Sequence, residues 1–353
     1  MSTVAIVGAG IVGASVAYHL ARCGVSVTLI DQAPSPAAGV TGASFGWNGD
    51  SGGDWPGGAE DLRHSVLADY RRLEADVPGV AVRWTGSLTW SDASVRRSTD
   101  ARLARGHYRI GRRAIAALEP HLQDLPEWAV YIPTDGGVDP RRTTEALVRA
   151  ARTLGAQVVL SAGAASLKIV NGHAEGVVAS AGFYPASTVV LTAGTDVRML
   201  CEPLGITLPI AASSAVLIRA AAPPGLVRTI LASPEFEVRE SRDGHLVMTA
   251  PYDDGTSEVA LQRLAQHTVE RVQASFGDPS PLRLLGHRVG RRPIPMGGPV
   301  VGYVTPDRSV YVAVMHSALT LAPTVGRLVA DELDSGTSVA ELRRCRPQRF
   351  FLS

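Results

Sequence analysis

Short runs of apolar residues alternate with stretches of helical periodicity at the start of the chain. Residues 4–7 are all apolar, which is typical of a strand buried on both faces of a parallel sheet. A helical stretch follows through about Arg22, and Gly24 separates it from a second apolar run at 25–30. The pattern predicts a strand, a helix and a second strand within the first thirty residues.

The same alternation returns later in the chain. Asp139 and Pro140 predict the start of a helix, because Asp caps helix N-termini and Pro fits the first turn, and Gly155 ends it. Further buried strands are predicted at 158–160, 189–191 and 310–314, with a closing helix near 323–333. These elements place α/β structure at both ends of the chain and in part of its middle.

The remaining segments have the pattern of an antiparallel sheet with a few helices. An arginine-rich stretch that ends at Leu118 is a predicted helix, and so are residues 259–276. Strands are predicted at 82–84 and 87–90 around Gly86, at 166–170 and 175–180 around Asn171-Gly172, and at 215–219, 236–239 and 246–249. We expect an α/β (α+β) fold in which a Rossmann-like domain is joined to a second, mostly antiparallel β-sheet domain.

The glycines between the first strand and helix carry the first functional signal. Gly8 permits a tight turn, Gly10 lets backbone N–H groups reach a pyrophosphate, and Gly13 allows close packing of helix and strand. Asp31 ends the second strand, where its carboxylate can accept hydrogen bonds from ribose hydroxyls. These elements at this spacing predict an ADP-containing cofactor and leave FAD and NAD both open.

The overall composition excludes several classes of protein. The chain has 353 residues, of which 45% are hydrophobic and 19% charged, an ordinary globular composition with room for two domains. The net charge is +1, from 34 basic and 33 acidic residues, so no electrostatic feature predicts a nucleic-acid partner. No apolar run approaches the ~20 residues that span a bilayer, so no transmembrane segment is expected.

Cysteine and lysine usage narrows the chemistry further. Cys23, Cys201 and Cys345 have no CxxC spacing and no adjoining histidine cluster. We therefore expect neither disulfides nor a metal site, and we infer a cytoplasmic protein. Lys168 is the single lysine among the 34 basic residues, which leaves almost no lysine for catalysis.

Residues 41–49 form a loop rich in small residues. On composition alone, such a loop is typical of a flexible surface segment. Its small residues would also allow a cofactor to run alongside, which would place Trp47 and Asn48 near the reactive end of that cofactor. Both interpretations stay open at the level of the sequence.

Seven segments, in order along nearly the whole chain, resemble the D-amino-acid oxidase-like flavoprotein family, which includes glycine oxidase, sarcosine oxidase and D-amino-acid dehydrogenases. They are the glycine fingerprint, the loop at 41–48, and the segments at 135–140, 193–194, 290–302, 316–323 and 349–350. The resemblance implies a tightly bound FAD that accepts hydride from the carbon bearing an amine, which gives an imine. The substrate would be an amino acid or a related amine, and the oligomeric state stays open.

The family also implies a division into two domains. By position, a discontinuous FAD-binding domain comprises residues 1–80, 138–212 and 288–353. The substrate domain, built on an antiparallel sheet, comprises residues 81–137 and 213–287. In this arrangement the substrate sheet covers the reactive end of the FAD.

The resemblance assigns a set of residues to the cofactor. They are Gly8, Gly10, Ile11, Val12, Gly13, Asp31, Gln32, Gly42, Ala43, Ser44, Trp47, Asn48, Ala164, Ala193, Gly194, Ser317, Ala318, Leu319 and Thr320. Ser44 is expected in the pyrophosphate region, the backbone of Ala164 at the adenine, and residues 317–320 at the pyrimidine edge of the flavin. A helix N-terminus at 317–320 would stabilise the negative charge that develops on the flavin upon reduction.

Four residues are candidates for the active site. Arg292 matches the family arginine that clamps a substrate carboxylate, a task that suits the planar guanidinium fork. Tyr252 and His245 lie in the predicted substrate sheet and are candidates to close the site. His316 is expected beside the flavin. The alternatives are a domain-interface role for Arg292 and packing roles for the others.

The chain departs from the family pattern in three places. Residues 316–318 read His-Ser-Ala where many members have Gly-His-Gly, so a role for His316 is not directly inherited. The cysteine that tethers FAD in sarcosine oxidase-like members has no counterpart beside Met315, and Lys168 does not match their oxygen-activating lysine. Sarcosine oxidase in the strict sense is disfavoured, and FAD is expected to bind non-covalently.

The leading hypothesis is therefore an FAD-dependent amino-acid or amine oxidase or dehydrogenase. One alternative is an NAD-dependent dehydrogenase, which would share only the first thirty residues with this pattern. The other is a catalytically degenerate flavin-binding subunit, which the altered segment at 316–318 keeps open.

Overall fold

In a computed structural model of the protein, residues 3–49, 56–90, 106–252, 255–277 and 280–351 are described. The strands in these ranges are β1 (Thr3–Val7), β2 (Ser26–Ile30), β3 (Trp47–Asn48), β4 (Val82–Arg83), β5 (Ser87–Thr89), β6 (Tyr108–Gly111), β7 (Trp128–Ile132), β8 (Gly136–Val138), β9 (Gln157–Val159), β10 (Ser166–Val170), β11 (His173–Ala179), β12 (Gly182–Pro185), β13 (Thr188–Leu191), β14 (Ile210–Ala221), β15 (Ile230–Ala232), β16 (Glu237–Glu240), β17 (Leu246–Pro251), β18 (Arg283–Pro295), β19 (Val300–Tyr303) and β20 (Val310–Val314). The helices are α1 (Ile11–Arg22), α2 (Ala59–Asp76), α3 (Arg112–Leu118), α4 (Pro140–Thr153), α5 (Val197–Cys201), α6 (Glu258–Ser275) and α7 (Ala318–Ser335). Within the described ranges, no helix combines the length and apolarity needed to cross a membrane.

A six-stranded sheet in the order β19-β20-β13-β1-β2-β9 forms the centre of the first half of the fold. Its strands run parallel except for β19, which is an antiparallel edge strand. Helices α1, α2, α4 and α7 cover one face, and an antiparallel ribbon of β10, β11 and β12 covers the other. Both faces of the central strands are therefore buried, which explains why β1 and β20 are apolar at almost every position.

Small residues let α1 and α7 approach each other closely on this sheet. A Cβ atom on Gly326 would lie 2.1 Å from Ser15 Oγ, so no larger residue fits at that position. The Ser15 hydroxyl donates a hydrogen bond of 2.8 Å to the carbonyl of Ala322. This contact fixes α1 between the sheet and α7, with its N-terminus at the carboxyl end of β1.

The second sheet has eight strands in the order β18-β14-β17-β16-β15-β5-β7-β6. Its neighbours are antiparallel, apart from the parallel pair of β5 and β15. One face packs against α6 around a separate hydrophobic core. The other face is turned toward the first sheet, because Arg239 of β16 donates hydrogen bonds to the carbonyls of Phe45 and Val138.

These features confirm the predicted α/β (α+β) fold with a mostly antiparallel second sheet. β1, α1, β2, α4, β9, β13 and β20 lie within one or two residues of their predicted positions. Asp139 caps α4, since its side chain accepts a hydrogen bond from the N–H of Arg142. The loop at 41–49 is not a flexible surface segment, because it contains a 3-10 turn (Val40–Ala43) and β3, which pairs with β8.

Several predicted elements differ from the structure. β4 and β5, on either side of Gly86, do not pair with each other, since β4 joins β8 while β5 joins the second sheet. The end of the predicted arginine-rich helix is strand β6 followed by α3, and its first part, 91–105, lies outside the described residues. α7 begins at Ala318, five residues before the predicted start, so Pro323 lies inside the helix.

The sequence pattern did not indicate β18, the longest strand described. Its sequence contains two prolines, two glycines and four arginines, which do not resemble a buried strand. β18 is an edge strand, and an edge tolerates proline and charge because one row of its backbone groups is unpaired. The prolines and arginines of this segment therefore indicate a strand at the edge of a sheet, not a segment without a strand.

The predicted domain boundaries at 212/213 and 287/288 fall inside β14 and β18. These two strands pair with each other along their length, so residues 210–212 and 288–295 belong to the second sheet. We propose boundaries at 209/210 and 295/296 instead. The remaining division of the chain, into residues 1–80, 138–209 and 296–353 against 81–137 and 210–295, stays a prediction.

Pro323 creates a gap in the hydrogen bonds of α7 that another helix fills. Proline has no N–H, so the carbonyl of Leu319, four residues earlier, has no partner within the helix. The hydroxyl of Tyr70 on α2 donates a hydrogen bond to that carbonyl, and Tyr70 is fully buried. Burial raises the pKa of Tyr70, which keeps the hydroxyl protonated as a donor.

We expect Tyr70→Phe to lower the free energy of unfolding by about 1–3 kcal/mol, because a buried carbonyl loses its donor. Denaturant unfolding followed by circular dichroism measures this change. The loss should shrink in a Pro323→Ala background, in which residue 323 supplies its own N–H to Leu319. Equal losses in both backgrounds would show that Tyr70 stabilises the fold in some other way.

Candidate cofactor and active site

A cavity of about 920 Å³ lies at the carboxyl ends of β1, β2, β13 and β20, beside the edge strand β18 of the second sheet. The carboxyl ends of parallel strands are where nucleotides bind to sheets of this kind. Residues from both sheets line the cavity. One ligand in it therefore contacts both halves of the fold.

Two glycines, Gly8 in the turn after β1 and Gly13 on α1, have no room for a side chain. Gly8 has a φ of +108°, and a Cβ atom on it would lie 2.9 Å from the carbonyl oxygen of Thr192. A Cβ atom on Gly13 would lie 1.9 Å from the carbonyl oxygen of Gly8. Gly10 directly precedes α1 and lines the cavity, so the N–H groups of the first turn are placed to receive an anion.

Asp31 lines the cavity at the end of β2, and its carboxylate binds two backbone groups. Oδ2 accepts a hydrogen bond of 2.6 Å from the N–H of Ala9, and Oδ1 accepts one of 2.7 Å from the N–H of Ala33. Each carboxylate oxygen has further acceptor capacity for a ribose hydroxyl. Asp31 thus holds the glycine turn against the end of β2, which is a role beyond the predicted ribose contact.

One hydroxyl reaches the N-terminus of α1, and it belongs to Thr41 rather than Ser44. Thr41 Oγ1 accepts a hydrogen bond of 3.2 Å from the N–H of Ile11, and Thr41 lines the cavity. Ser44 instead donates a hydrogen bond of 2.8 Å to the carbonyl of Val40 within the preceding turn. Thr41 and Ser44 both carry a hydroxyl in the same loop. Only the course of the 3-10 turn determines which hydroxyl reaches α1.

The other residues assigned to FAD divide into two groups. Those that line the cavity are Gly8, Gly10, Ile11, Val12, Asp31, Gln32, Ala43, Ala164, Ala193, Gly194 and Ala318. Those that do not are Gly13, which supports the turn, and Gly42, Ser44, Trp47, Asn48, Ser317, Leu319 and Thr320. Lining residues that the sequence analysis did not assign to the cofactor include Thr41, Met199, Arg288 and Arg291.

The length of the cavity suits a dinucleotide. Its lining runs from residues 163–167, which follow β9, past the N-terminus of α1 to residues 313–315 at the end of β20. β9 and β20 are the outer members of the five parallel strands, about 19 Å apart at ~4.8 Å per strand. The expected adenine end at Ala164 and the expected flavin end at 317–320 thus lie on opposite sides of the glycine turn.

β3 pairs with β8, contacts the start of α7 and carries a buried amide. Trp47 Nε1 donates a hydrogen bond of 2.9 Å to Asp135 Oδ2, and the Trp47 carbonyl accepts one of 3.0 Å from the Thr320 hydroxyl. Asn48 is fully buried, and within the described part of the chain neither polar atom of its side chain has a hydrogen-bond partner. Buried amides without partners are rare, but Asn48 does not line the cavity, so its contact with the cofactor stays a prediction.

The loop after β20 presents the start of α7. Ser317 has a φ of +55°, and its carbonyl accepts hydrogen bonds from the N–H groups of Thr320 and Leu321. His316 Nδ1 lies 3.0 Å from Ser317 Oγ, and part of the His316 ring is exposed. Desolvation of the rest of the ring and, second, the charge of Arg292 lower the pKa of His316, which favours the neutral form.

Arg292 lies on β18, directly opposite Ser213 of β14. Its Nη2 donates a hydrogen bond of 2.9 Å to Ser213 Oγ, and its Nε donates a longer one to the Ser213 carbonyl. Its charge also acts on Glu237 of β16, a residue that no sequence motif indicated. The charge of Arg292 thus acts on both His316 and Glu237, although none of the three lines the cavity.

His245 and Tyr252 do not join this group. Leu246, next to His245, lies opposite Ala220 of β14, whereas Arg292 lies opposite Ser213. Seven residues at ~3.3 Å each place these positions roughly 23 Å apart. His245 instead contacts Arg219 and Asp243. The side chain of Tyr252 packs against the hydrophobic core between the second sheet and α6. Their predicted roles in closing the site have no support in this geometry.

Comparisons with known proteins agree with this arrangement. A family model described as FAD dependent oxidoreductase (DAO) matches residues 3–332. The chain is 29% identical over 359 aligned positions to an uncharacterized oxidoreductase, YurR, of Bacillus subtilis, with 94% of each chain covered. It is 24% identical to a D-amino acid dehydrogenase of Bradyrhizobium diazoefficiens, again with 94% of each covered. A solved glycine oxidase from Bacillus cereus shares the fold, with a TM-score of 0.80 at 20% identity over 97% of each chain.

We expect Asp31→Asn to weaken FAD binding about tenfold or more and to lower the melting temperature of the apoprotein. The amide NH2 would face the N–H of Ala9 or Ala33, which leaves a donor without an acceptor. Titration of apoprotein with FAD, followed by flavin fluorescence, and thermal unfolding measure the two effects. Asp334→Asn, exposed on α7, is the matched control. Unchanged affinity and unchanged melting would contradict both roles of Asp31.

Proposed function

The chain belongs to the DAO family of FAD-dependent oxidoreductases, and we propose that it oxidises the C–N bond of an amino acid or a related amine to an imine. The observation that supports this proposal most directly is the position of Arg292 on β18, where Ser213 holds its guanidinium group and its charge acts on His316. The names of relatives that act on D-amino acids and on glycine favour the same class of substrate. Because the chain belongs to an FAD-dependent family, the alternative hypothesis of an NAD-dependent dehydrogenase is wrong.

The residues that line the cavity fit FAD. When bound, FAD would supply the acceptor for the hydride that leaves the carbon bearing the amine. The N-terminus of α1 and Thr41 would hold the pyrophosphate, and Asp31 would hold the ribose. Ala164 would contact the adenine, and the N-terminus of α7 would lie at the flavin end, where its dipole favours negative charge.

Arg292 is placed to orient a substrate by its carboxylate. Ser213 binds Nε and Nη2, which fixes the plane of the guanidinium group. Nη1 forms no hydrogen bond within the described residues, so this end of the fork is available to a carboxylate. A charge-assisted contact with a planar fork holds the substrate in one orientation, which is what hydride removal from a single carbon requires.

FAD should be held without a covalent bond to cysteine. Cys201 and Cys345 are buried, Cys23 is exposed, and none of the three lines the cavity. Precipitation of the yellow protein with acid should therefore release all of the chromophore into the supernatant, measured by its visible absorbance. Colour that remains in the washed pellet would contradict this prediction.

Replacement of Arg292 should reduce activity on amino acids in a graded way. We expect kcat/KM to fall about tenfold in Arg292→Lys, which keeps the charge, and about 100-fold or more in Arg292→Ala, which loses charge and fork. Anaerobic bleaching of the flavin by a panel of D- and L-amino acids and N-methyl amines measures these changes. Oxidation of an amine without a carboxylate should change little.

Arg283→Lys and Arg283→Ala, on the same strand but exposed at its far end, are matched controls that should retain wild-type rates. Wild-type bleaching rates in both Arg292 variants would show that Arg292 is not the carboxylate-binding group. A wild-type protein that binds FAD but is bleached by no member of the panel would favour the degenerate flavin-binding subunit.

A further inference from the structure

β16 presents a carboxylate on the sheet face that carries Arg292. The register pairs Glu237 with Thr249 of β17, and Thr249 with Leu217 of β14. Arg292 pairs with Ser213, also on β14. Ser213 and Leu217 are four residues apart, and side chains along a strand alternate with a period of two. Glu237 and Arg292 therefore share the face that is turned toward the first sheet.

The carboxylate of Glu237 is oriented by a neighbour but not neutralised. The Thr249 hydroxyl donates a hydrogen bond of 2.9 Å to Glu237 Oε2. Burial raises the pKa of Glu237, while this hydrogen bond and the charge of Arg292 oppose the rise. Within the described ranges neither Glu237 nor Arg292 forms a salt bridge, although Arg292 lies near enough for its charge to act on the carboxylate.

Glu237 and Arg292 carry opposite charges on one sheet face and do not contact each other. This arrangement suits a ligand that carries both a negative and a positive charge. An amino acid at neutral pH has a carboxylate and an ammonium group, and its carboxylate is assigned to Arg292 above. Its ammonium group would then point along the sheet toward β16. Both side chains are half-buried, and each has a hydroxyl partner but no counter-ion among the described residues, so a zwitterion between them would supply both counter-charges.

We propose that Glu237 binds the ammonium group of the substrate and accepts one proton from it. One N–H bond of the ammonium group breaks and its electron pair stays on nitrogen, while an O–H bond forms on the carboxylate. The electron pair can then assist the departure of hydride from the neighbouring carbon, which an ammonium group cannot do. This inference rests on the proposed oxidation of an amino acid.

Two other arginines share the face of Glu237. Arg239 lies on the same strand, but its N–H groups bind the carbonyls of Phe45 and Val138. Arg288 of β18 lies in the same row of paired residues, but it is exposed and lines the cavity. The charge of Arg292 acts on both His316 and Glu237. The groups that act on the protonation of Glu237 are thus Arg292 and the hydroxyl of Thr249.

The pH dependence of flavin reduction tests this proposal. The FAD-loaded protein is mixed anaerobically with the best amino acid of the panel, and the second-order rate constant of bleaching is measured across the pH range. In the wild type the rate should fall as pH drops through the pKa of Glu237, because the protonated carboxyl accepts no proton. Glu237→Gln should be about 100-fold slower at pH 7, the usual size of a general-base effect.

The loss in Glu237→Gln should itself depend on pH. Without the carboxylate, only substrate whose amine is already neutral in solution can react, and that fraction rises about tenfold per pH unit. The variant should therefore approach the wild type as pH nears the pKa of the substrate amine. A residue with a purely structural role would instead lower the rate by the same factor at every pH.

Two further variants complete the test. Thr249→Val keeps the carboxylate but removes the hydrogen bond that favours its charged form, so the low-pH decline should move to higher pH. Glu240→Gln is the matched control, because Glu240 lies on the same strand with its side chain on the opposite face, where it contacts Arg83. Its pH profile should match the wild type.

The outcomes separate this inference from the proposed function. A deficit in Glu237→Gln that is constant with pH, or no deficit, overturns the role of Glu237 and leaves amine oxidation intact. If Glu237→Gln does not bind FAD, an unshifted low-pH decline in Thr249→Val overturns the role on its own. A wild-type flavin that no amino acid and no amine of the panel bleaches overturns the proposed function and this inference together, whereas bleaching by amines alone overturns only this inference.

Discussion

The fold depends on the close approach of α1 to the turn that follows β1. The carbonyl oxygen of Gly8 occupies the place where a side chain of Gly13 would begin, and the backbone at Thr192 closes over Gly8 from β13. Because no side chain separates these backbones, the N-terminus of α1 lies directly at the carboxyl ends of the parallel strands. Asp31 reinforces this geometry by binding the N–H of Ala9. The cavity and its capacity for an anion follow from this contact.

The second sheet contributes to the site through its edge and through one face. β18 lies beside the cavity, and a Cβ atom on Gly290 would lie 3.0 Å from the Cβ of Ala43, so the strand and the 3-10 turn touch without intervening side chains. The register of β18, β14, β17 and β16 then determines which side chains share a face. A slip of one residue would send Arg292 to the opposite face. The chemistry of the site is therefore as sensitive to strand pairing as to the identity of its residues.

Local signals predicted the part of the site that is continuous in sequence. The strand, glycines, helix and terminal acid of residues 4–31 form one continuous unit. Each of these signals can be recognised from the residues next to it in the sequence. The same holds for the helix that begins at Asp139, whose cap and first proline are adjacent. Prediction was weaker where a residue acts across the fold. Ser44 and Thr41 differ only in where the turn directs them, and His245 lies in the second sheet but roughly 23 Å along it from the strand position opposite Arg292.

The sequence by itself determined the class of cofactor and the elements that hold it, because glycine spacing and buried apolar runs are local properties of a chain. It also predicted a role for Arg292, through resemblance to the family at residues 290–302. Only the tertiary structure decided that Glu237 shares a sheet face with Arg292, that Asn48 is buried with no hydrogen-bond partner among the described residues, and that Tyr70 donates to the carbonyl freed by Pro323. These relations join strands and helices that are distant in sequence. Pairing register and packing set them, and neither leaves a signal in any single segment.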